Sequence, residues 1–216
     1  MMQGSQRLIV MLVYIFAQPA YAQRPFTEGI IAYDVKLEAP GGKSVTGVYI
    51  LYVKGDLLRK DLKLSNGYSD EVIFSFGAGK GTSLQVQNGK KYAIELDMQE
   101  VHNYQDVFRD YRTVMRTDAS KHIAGYETKA ATIYYTSGDS SIVYFTNEWK
   151  PAKPLMYERY PSTGFLPLFF NYNDEHGMTM WFEATRVTPG PVANALFQVP
   201  VDYKIISAAE YKTLSR

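Results

Sequence analysis

The chain has 216 residues, with 23 basic and 22 acidic side chains, three histidines and no cysteine. A chain so close to neutral lacks the basic excess typical of nucleic-acid-binding proteins. We therefore expect no nucleic-acid partner and no strong attraction to anionic membranes. Because cysteine is absent, disulfides, thiolate metal sites and a thiol nucleophile are excluded.

The first 22 residues have the pattern of a secretory signal peptide. Arg7 supplies a positive charge, residues 8–17 form an apolar run, and Ala20-Tyr21-Ala22 is a small-x-small cleavage site. The run is shorter than the roughly 20 residues that span a bilayer. We expect cleavage after Ala22 and one periplasmic or secreted domain over residues 23–216. Gln23 is not a cysteine and no second long apolar run follows, so we expect neither a lipoprotein anchor nor a membrane-spanning segment.

Alternation of apolar and polar residues predicts that most of the mature chain forms β-strands. Residues 31–38 and 91–98 show this alternation most clearly. The 18 tyrosines agree, because tyrosine favours sheets. Further strand candidates are residues 45–54, 57–64, 69–76, 83–87, 126–136, 140–147 and 178–187.

Short turns containing glycine separate these strands, at residues 40–43, 54–56, 66–67, 77–81, 88–89 and 137–139. Such turns make neighbouring strands antiparallel. The turn at 77–81 lacks the length and the following helix of a phosphate-binding loop, so we interpret it as a hairpin turn. The pattern predicts a mainly β (α+β) fold: a strongly curved antiparallel sheet, or half-open β-barrel, with a few short helices on its concave face.

Two helices and one irregular segment complete the prediction. Apolar residues at spacings of three and four predict a helix over Gln99–Arg112, and a capping box at residues 207–210 opens a final helix. Between residues 150 and 173, four prolines and the apolar cluster 165–170 predict an irregular connection without a central strand, either functional or a packed lid.

Common catalytic signatures are missing from the sequence, which favours a protein that is not an enzyme and uses no cofactor or metal. The three histidines, His102, His122 and His176, do not pair at ligand spacing, and we interpret Asp174-Glu175-His176 as a solvated turn rather than a metal site. A hydrolase with an unrecognised site remains an alternative, which would require acidic residues and histidine to converge in one cleft.

Charged residues on the strands are expected to be solvated. This applies to the polar-phase carboxylates Asp34, Glu38, Asp61, Glu95 and Asp97. Arg59 and Arg112 could hold an anionic headgroup, but we favour pairing with neighbouring surface carboxylates.

Several strands carry large apolar residues on both faces, so the second face must be covered or line a cavity. A curled antiparallel sheet can hold a hydrophobic ligand. The predicted apolar lining consists of Tyr33, Val35, Tyr49, Leu51, Tyr92, Ile94 and Trp181, with Phe165, Leu166, Phe169 and Phe170 as a gate or plug. In the alternative, the two helices and the 165–170 cluster fill the concave face permanently, and the protein binds another envelope protein.

Two signature segments resemble the DUF4412 family: Lys121-His122-Ile123-Ala124-Gly125-Tyr126-Glu127-Thr128 and Phe197-Gln198-Val199-Pro200-Val201-Asp202-Tyr203-Lys204-Ile205. The opening segment 26–33 and the patch 164–168 also fit, and the related GLPGLI family shares the opening and the Gly-Tyr element. The resemblance implies a secreted or periplasmic protein typical of Bacteroidetes. It also implies a half-open barrel like the carriers LolA and LolB, whose apolar cavity takes acyl chains.

The signature residues have structural interpretations. We expect Gly125 to permit a bulge or close packing, and Pro200 to end the pairing of a terminal strand. Phe197, Val199 and Tyr203 would fix the C-terminus to the core. The family often has cysteine where this chain has Thr128, which removes any redox role at that position. The predicted function is a non-enzymatic envelope protein that binds a lipid, an acylated peptide or another hydrophobic ligand.

Overall fold

The computed structural model describes residues 23–106, 108–152, 156, 164–173 and 177–214. The predicted signal peptide and the Asp174-Glu175-His176 triplet lie outside the described residues. No helix in the described part of the chain is long and apolar enough to cross a membrane.

Strands dominate the described residues. They are β1 (Arg24–Phe26), β2 (Glu28–Glu38), β3 (Ser44–Lys54), β4 (Leu57–Leu64), β5 (Ser69–Ser75), β6 (Lys80–Gln87), β7 (Lys90–Leu96), β8 (Tyr111–Ile123), β9 (Tyr126–Tyr135), β10 (Ser140–Thr146), β11 (Trp149–Pro151), β12 (Leu166–Asn173), β13 (Thr179–Pro189) and β14 (Lys204–Ser207). The helices are α1 (Met98–Asp106), α2 (Ala208–Leu214) and a 3-10 turn at Asn194–Phe197.

Twelve strands form one curved sheet in the order β14-β7-β6-β5-β4-β3-β2-β13-β12-β10-β9-β8, and β1 pairs with β11. Every neighbouring pair in the large sheet is antiparallel except β14 with β7. The predicted fold class, a curved antiparallel sheet that is not closed and carries few short helices, is confirmed.

The hairpin turns have the backbone geometry that their sequences predict. Asn88 and Gly89, between β6 and β7, have φ angles of 51° and 75°, the left-handed pair that a two-residue hairpin requires. Ala124 and Gly125 do the same between β8 and β9, at 50° and 87°. Gly125 is therefore a turn residue; the expected bulge or close packing is wrong, since a Cβ there would meet nothing within 4 Å.

The predicted helix over Gln99–Arg112 is too long. α1 ends at Asp106, and Tyr111 and Arg112 begin strand β8. The first part of the predicted range is helical, and the ring of Tyr104 near the end of α1 lies 5.6 Å from that of Phe108, which follows the helix. β8 was missed because it is an edge strand whose side chains are mostly exposed, so it lacks apolar alternation.

The last part of the predicted irregular connection over residues 150–173 is a central strand, so Pro167 does not exclude one; residues 153–155 and 157–163 of that segment lie outside the described residues. From Leu166 the segment forms β12, which lies between β10 and β13. Pro167 is the second residue of β12 and pairs with Phe145, next to a register shift at which Leu168 of β12 is the extra residue. The pairing of β12 with β13 begins only at Phe169. Proline is tolerated at such an irregular strand start because little ladder hydrogen bonding is lost.

The two faces of the sheet are distinguished by the register. The face that carries the side chains of Ile31, Tyr33 and Val35 of β2 is called the inner face, and the opposite face is called the outer face. The main core lies on the inner face. On the outer face, Val192 and Phe197 cover a second apolar cluster that includes Ile73, Leu84 and Ala93.

The end of the chain is fixed as predicted, with one difference. Phe197, Val199 and Tyr203 pack in the outer apolar cluster. Pro200 does not end a strand: its carbonyl accepts a hydrogen bond from the Tyr203 N–H at 3.0 Å, in a turn that precedes β14. The predicted capping box opens α2, with the Glu210 carboxylate 2.7 Å from the Ser207 backbone nitrogen that donates to it.

Candidate functional site

An aromatic cluster occupies the centre of the inner face. The rings of Phe170 and Phe182 are stacked with centroids 4.6 Å apart, and Tyr33 meets Phe170 edge-on at 5.7 Å. Tyr49 packs against Phe182 at 5.4 Å. The Tyr33 hydroxyl donates a hydrogen bond to the Pro167 carbonyl at 2.9 Å, which ties β2 to β12. Of the predicted lining residues, the structure thus brings Tyr33, Tyr49 and Phe170 together.

Three more predicted lining residues, Val35, Leu51 and Leu166, belong to the same core and are buried. Phe165 is half-buried and stacks on Phe145 with ring centroids 4.0 Å apart. One continuous apolar surface therefore contains seven of the predicted lining residues: Tyr33, Val35, Tyr49, Leu51, Phe165, Leu166 and Phe170.

The cover of the inner face comes from several separate places in the chain. Phe26 of β1 and Met156 are both 0 % exposed, and Phe108 follows α1. The start of α1 lies over β6, because a Cβ added to Gly81 would meet the Met98 sulfur at 2.9 Å. Val101 of α1 also packs against the main core.

Tyr92 and Ile94 lie apart from the other lining residues. The register places Ile94 in a row with Ser83 and, through β14, with Ile206. Tyr92 and Ile94 are covered by α2, and the rings of Tyr92 and Tyr211 lie 6.0 Å apart.

Phe169 and Trp181 lie on the outer face. Trp181 pairs with Lys36 across the β2–β13 ladder, whereas the neighbouring Phe182 pairs with Val35. Phe169 pairs with Glu183. Both aromatic side chains are half-buried. The structure therefore divides the predicted lining set between two faces.

A groove of about 880 Å³ crosses the outer face from β4 to β12. We call it the outer groove. Its apolar lining includes Val48, Phe169 and Trp181, and its charged lining includes Asp34, Glu183, Lys36 and Lys63. Sequence reasoning did not find this groove, because it depends on the pairing of β2 with β13, which are far apart in the chain.

Lys60 of β4 and Ser83 of β6 are buried on the inner face. Lys60 is in register with Leu51 and Val72, is 6 % exposed, and holds its ammonium 5.6 Å from the centre of the Phe74 ring. Ser83 follows in the same row. Lys60 lies two residues after Leu58 and two before Leu62, so it points to the same face of β4 as these leucines. This alternation could have predicted its inward position from the sequence.

The expectation that Asp61 is a solvated charge is wrong. Asp61 is only 7 % exposed and lies 2.7 Å from the Arg59 guanidinium, which also contacts Glu71 at 2.8 Å. Arg59 further donates to the Leu196 carbonyl at 3.1 Å, so the segment over the outer face buries this network. Burial raises the pKa of Asp61, although the hydrogen bond and charge of Arg59 oppose the shift.

The other polar candidates are dispersed. The described part of the chain has no group of three histidine or carboxylate side chains that could hold a metal. His102 is exposed on α1, and His122 lies 2.9 Å from Glu127 at the surface. The Arg112 guanidinium lies 5.0 Å from the centre of the Tyr134 ring. The expected solvent exposure is observed for Asp34, Glu95 and Asp97, and Glu38 is half-exposed.

Comparison with known proteins adds information on the fold. No protein-family model matches the chain, and no curated protein matches it. An uncharacterized conserved protein from Thermus thermophilus superposes with a TM-score of 0.50 at 10 % identity, over 84 % of this chain and 92 % of that one.

Two further solved structures are similar at lower scores. A chain of the Pseudomonas aeruginosa MucA/MucB complex matches with a TM-score of 0.44 at 14 % identity, over 85 % of this chain. A LolA superfamily protein from Nitrosomonas europaea matches with a TM-score of 0.39 at 9 % identity, over 83 % of this chain and 93 % of that one. The present chain covers only 60 % of the length of the matched chain in the MucA/MucB complex. At these identities the likenesses concern the fold alone.

Proposed function

We propose that the protein is a non-enzymatic envelope protein that binds an apolar ligand, a lipid or an acylated peptide, between the inner face of the sheet and its cover. Its place of action would be the periplasm or the exterior of the cell. The signal-peptide pattern supports this location, and the resemblance to DUF4412 supports the ligand class. Neither inference requires a catalytic group.

The observation that carries the proposal is the construction of the inner face. The apolar surface around Tyr33, Leu51 and Phe170 continues over several strands, and side chains from separate segments cover it. Burial of apolar surface contributes about 25 cal/mol per Å². A ligand that buries about 300 Å² would therefore gain roughly 7 kcal/mol before the costs of ordering and displacement.

α1 is the element of the cover best suited to move. It has nine residues and contributes the half-buried Met98 and Val101 to the main core. Gln99, His102 and Tyr104 on the same helix are exposed. Displacing α1 therefore exposes the partly buried side chains of Met98 and Val101, and it would open the inner face beside Gly81.

A cysteine lock tests this proposal directly, because the chain has no cysteine of its own. The Met98 side chain reaches the position of a Cβ at Gly81, so we choose the double variant Gly81→Cys/Met98→Cys and verify the disulfide by the mass of the oxidised protein. We expect the parent and the reduced double variant to bind cis-parinaric acid with saturable fluorescence enhancement. The oxidised double variant should take up the probe at least tenfold more weakly.

The matched control is Gly81→Ser/Met98→Ser, whose probe binding should not respond to oxidation. Uptake that is equal in the oxidised and reduced double variant would contradict the role of α1. A parent protein that binds no probe would contradict the ligand proposal itself.

A second candidate is a protein-interaction module whose inner face is permanently filled. The complete burial of Phe26 and Met156 against the core favours it, since both side chains occupy space that a ligand could otherwise use. This candidate predicts no probe uptake in any redox state, so the same titration distinguishes the two functions.

A further inference from the structure

The outer groove lies on the opposite face from the proposed ligand space. It crosses five adjacent strands, β4, β3, β2, β13 and β12. At about 4.8 Å between strands, this width is roughly 19 Å, enough for about six residues of an extended chain. The groove is therefore long enough for a peptide segment and larger than one side chain requires.

Two carboxylates face each other in the groove. Asp34 and Glu183 pair directly across the β2–β13 ladder, which sets their Cβ atoms about 5 Å apart. Both side chains are exposed. Like charges in this position destabilise a sheet, and a cation placed between them would relieve the repulsion.

The lysines of the groove are already engaged. Lys36 forms an ion pair with Glu38, and the Lys63 ammonium lies 3.2 Å from Glu71. Within the described ranges, Asp34 and Glu183 themselves form no ion pair. Among the described residues, the groove thus offers a ligand two carboxylates that form no ion pair.

Apolar surface surrounds these carboxylates. Trp181 and Phe169 are half-buried, and Val48 is 43 % exposed. The face of Trp181 accepts a cation in this structure, since the Lys36 ammonium lies 5.6 Å from the ring centre. A long side chain with an apolar stem and a cationic end matches both parts of the groove.

We propose that the outer groove docks an extended segment of a partner protein that carries lysine or arginine side chains. The carboxylates of Asp34 and Glu183 would bind the cationic group, while Trp181 and Phe169 would pack against its stem. This inference does not depend on the inner-face ligand, because the two sites lie on opposite faces of the sheet.

Fluorescence polarisation with two labelled nonapeptides tests the proposal. One peptide carries three arginine or lysine residues and two phenylalanines, and the other has glutamate in place of each basic residue. We expect the parent to bind the basic peptide saturably and the acidic peptide at least tenfold more weakly. Salt should weaken the basic complex, since its charges are near the surface.

The variant Asp34→Asn/Glu183→Gln should bind the basic peptide at least tenfold more weakly. Its thermal midpoint should not fall, because the substitution removes a repulsion. The control Glu95→Gln/Glu100→Gln makes the same charge change at exposed sites outside the groove lining and should change binding less than twofold. The proposal is overturned if the parent does not bind the basic peptide, binds both peptides equally, or binds no better than the groove variant.

Discussion

Adjacent phenylalanines on opposite faces of β12 provide a sharp test of the architecture. Phe170 is 5 % exposed and packs between Phe182 and Tyr33 on the inner face. Phe169 is half-buried on the outer face, beside Tyr144 and under the Lys121 ammonium. The same substitution at the two positions should therefore have very different effects on stability.

The expected losses follow from these contacts. Phe170→Ala removes a buried ring and leaves a cavity, which costs about 3–5 kcal/mol. Phe169→Ala removes one aromatic contact at 5.6 Å and one cation–π contact at 4.8 Å. These contacts together amount to about 1–2 kcal/mol.

Urea unfolding of both variants measures the losses in free energy, and thermal unfolding measures the matching shifts of the midpoint. For a domain of this size, each kcal/mol shifts the thermal midpoint by about 2–4 °C, so Phe170→Ala should melt about 6–20 °C below the parent. Phe169→Ala should melt only about 2–8 °C below it. Equal losses for the two variants would refute the assignment of these residues to opposite faces.

Three other changes should have defined outcomes. Arg59→Met leaves the carboxylate of Asp61 buried without its partner and should lower the free energy of unfolding by about 3–5 kcal/mol, measured by urea titration. Gly47→Ala places a Cβ 2.2 Å from the Lys63 carbonyl oxygen, so it should separate β3 from β4 and lower the thermal midpoint strongly; a midpoint equal to that of the parent would contradict this register. The hydrogen bonds of the capping box lower the pKa of Glu210 below its ordinary value of 4.5, so their stabilising effect is present above that pH and lost as the pH falls through the folded pKa. Between about pH 6 and pH 3, the urea midpoint of Glu210→Gln should therefore depend less on pH than the midpoint of the parent.

Much of the fold could be predicted from local pattern. Period-two alternation located β2, β4 and most other strands, and turn chemistry located the hairpins, because both depend on residues that are neighbours in the chain. β8 escaped because an edge strand buries little on either face. β12 escaped because Pro167 weighs against a strand unless the irregular pairing with β10 is known.

The candidate sites were harder to predict, because they depend on which strands pair. Alternation shows that Phe169 and Phe170 point to opposite faces, but it does not show which one faces the core. The opposition of Asp34 and Glu183 follows from a ladder between distant segments. Asp61 was expected in solvent because the covering segment around Leu196 cannot be placed over β4 from sequence alone.

Native mass spectrometry of the mature chain, purified from a periplasmic extract without detergent, tests the central claim most directly. The proposed binding of an apolar ligand on the inner face predicts a discrete added mass that organic solvent extracts as lipid. A bare mass that stays unchanged after incubation with phospholipid and fatty-acid mixtures would contradict it.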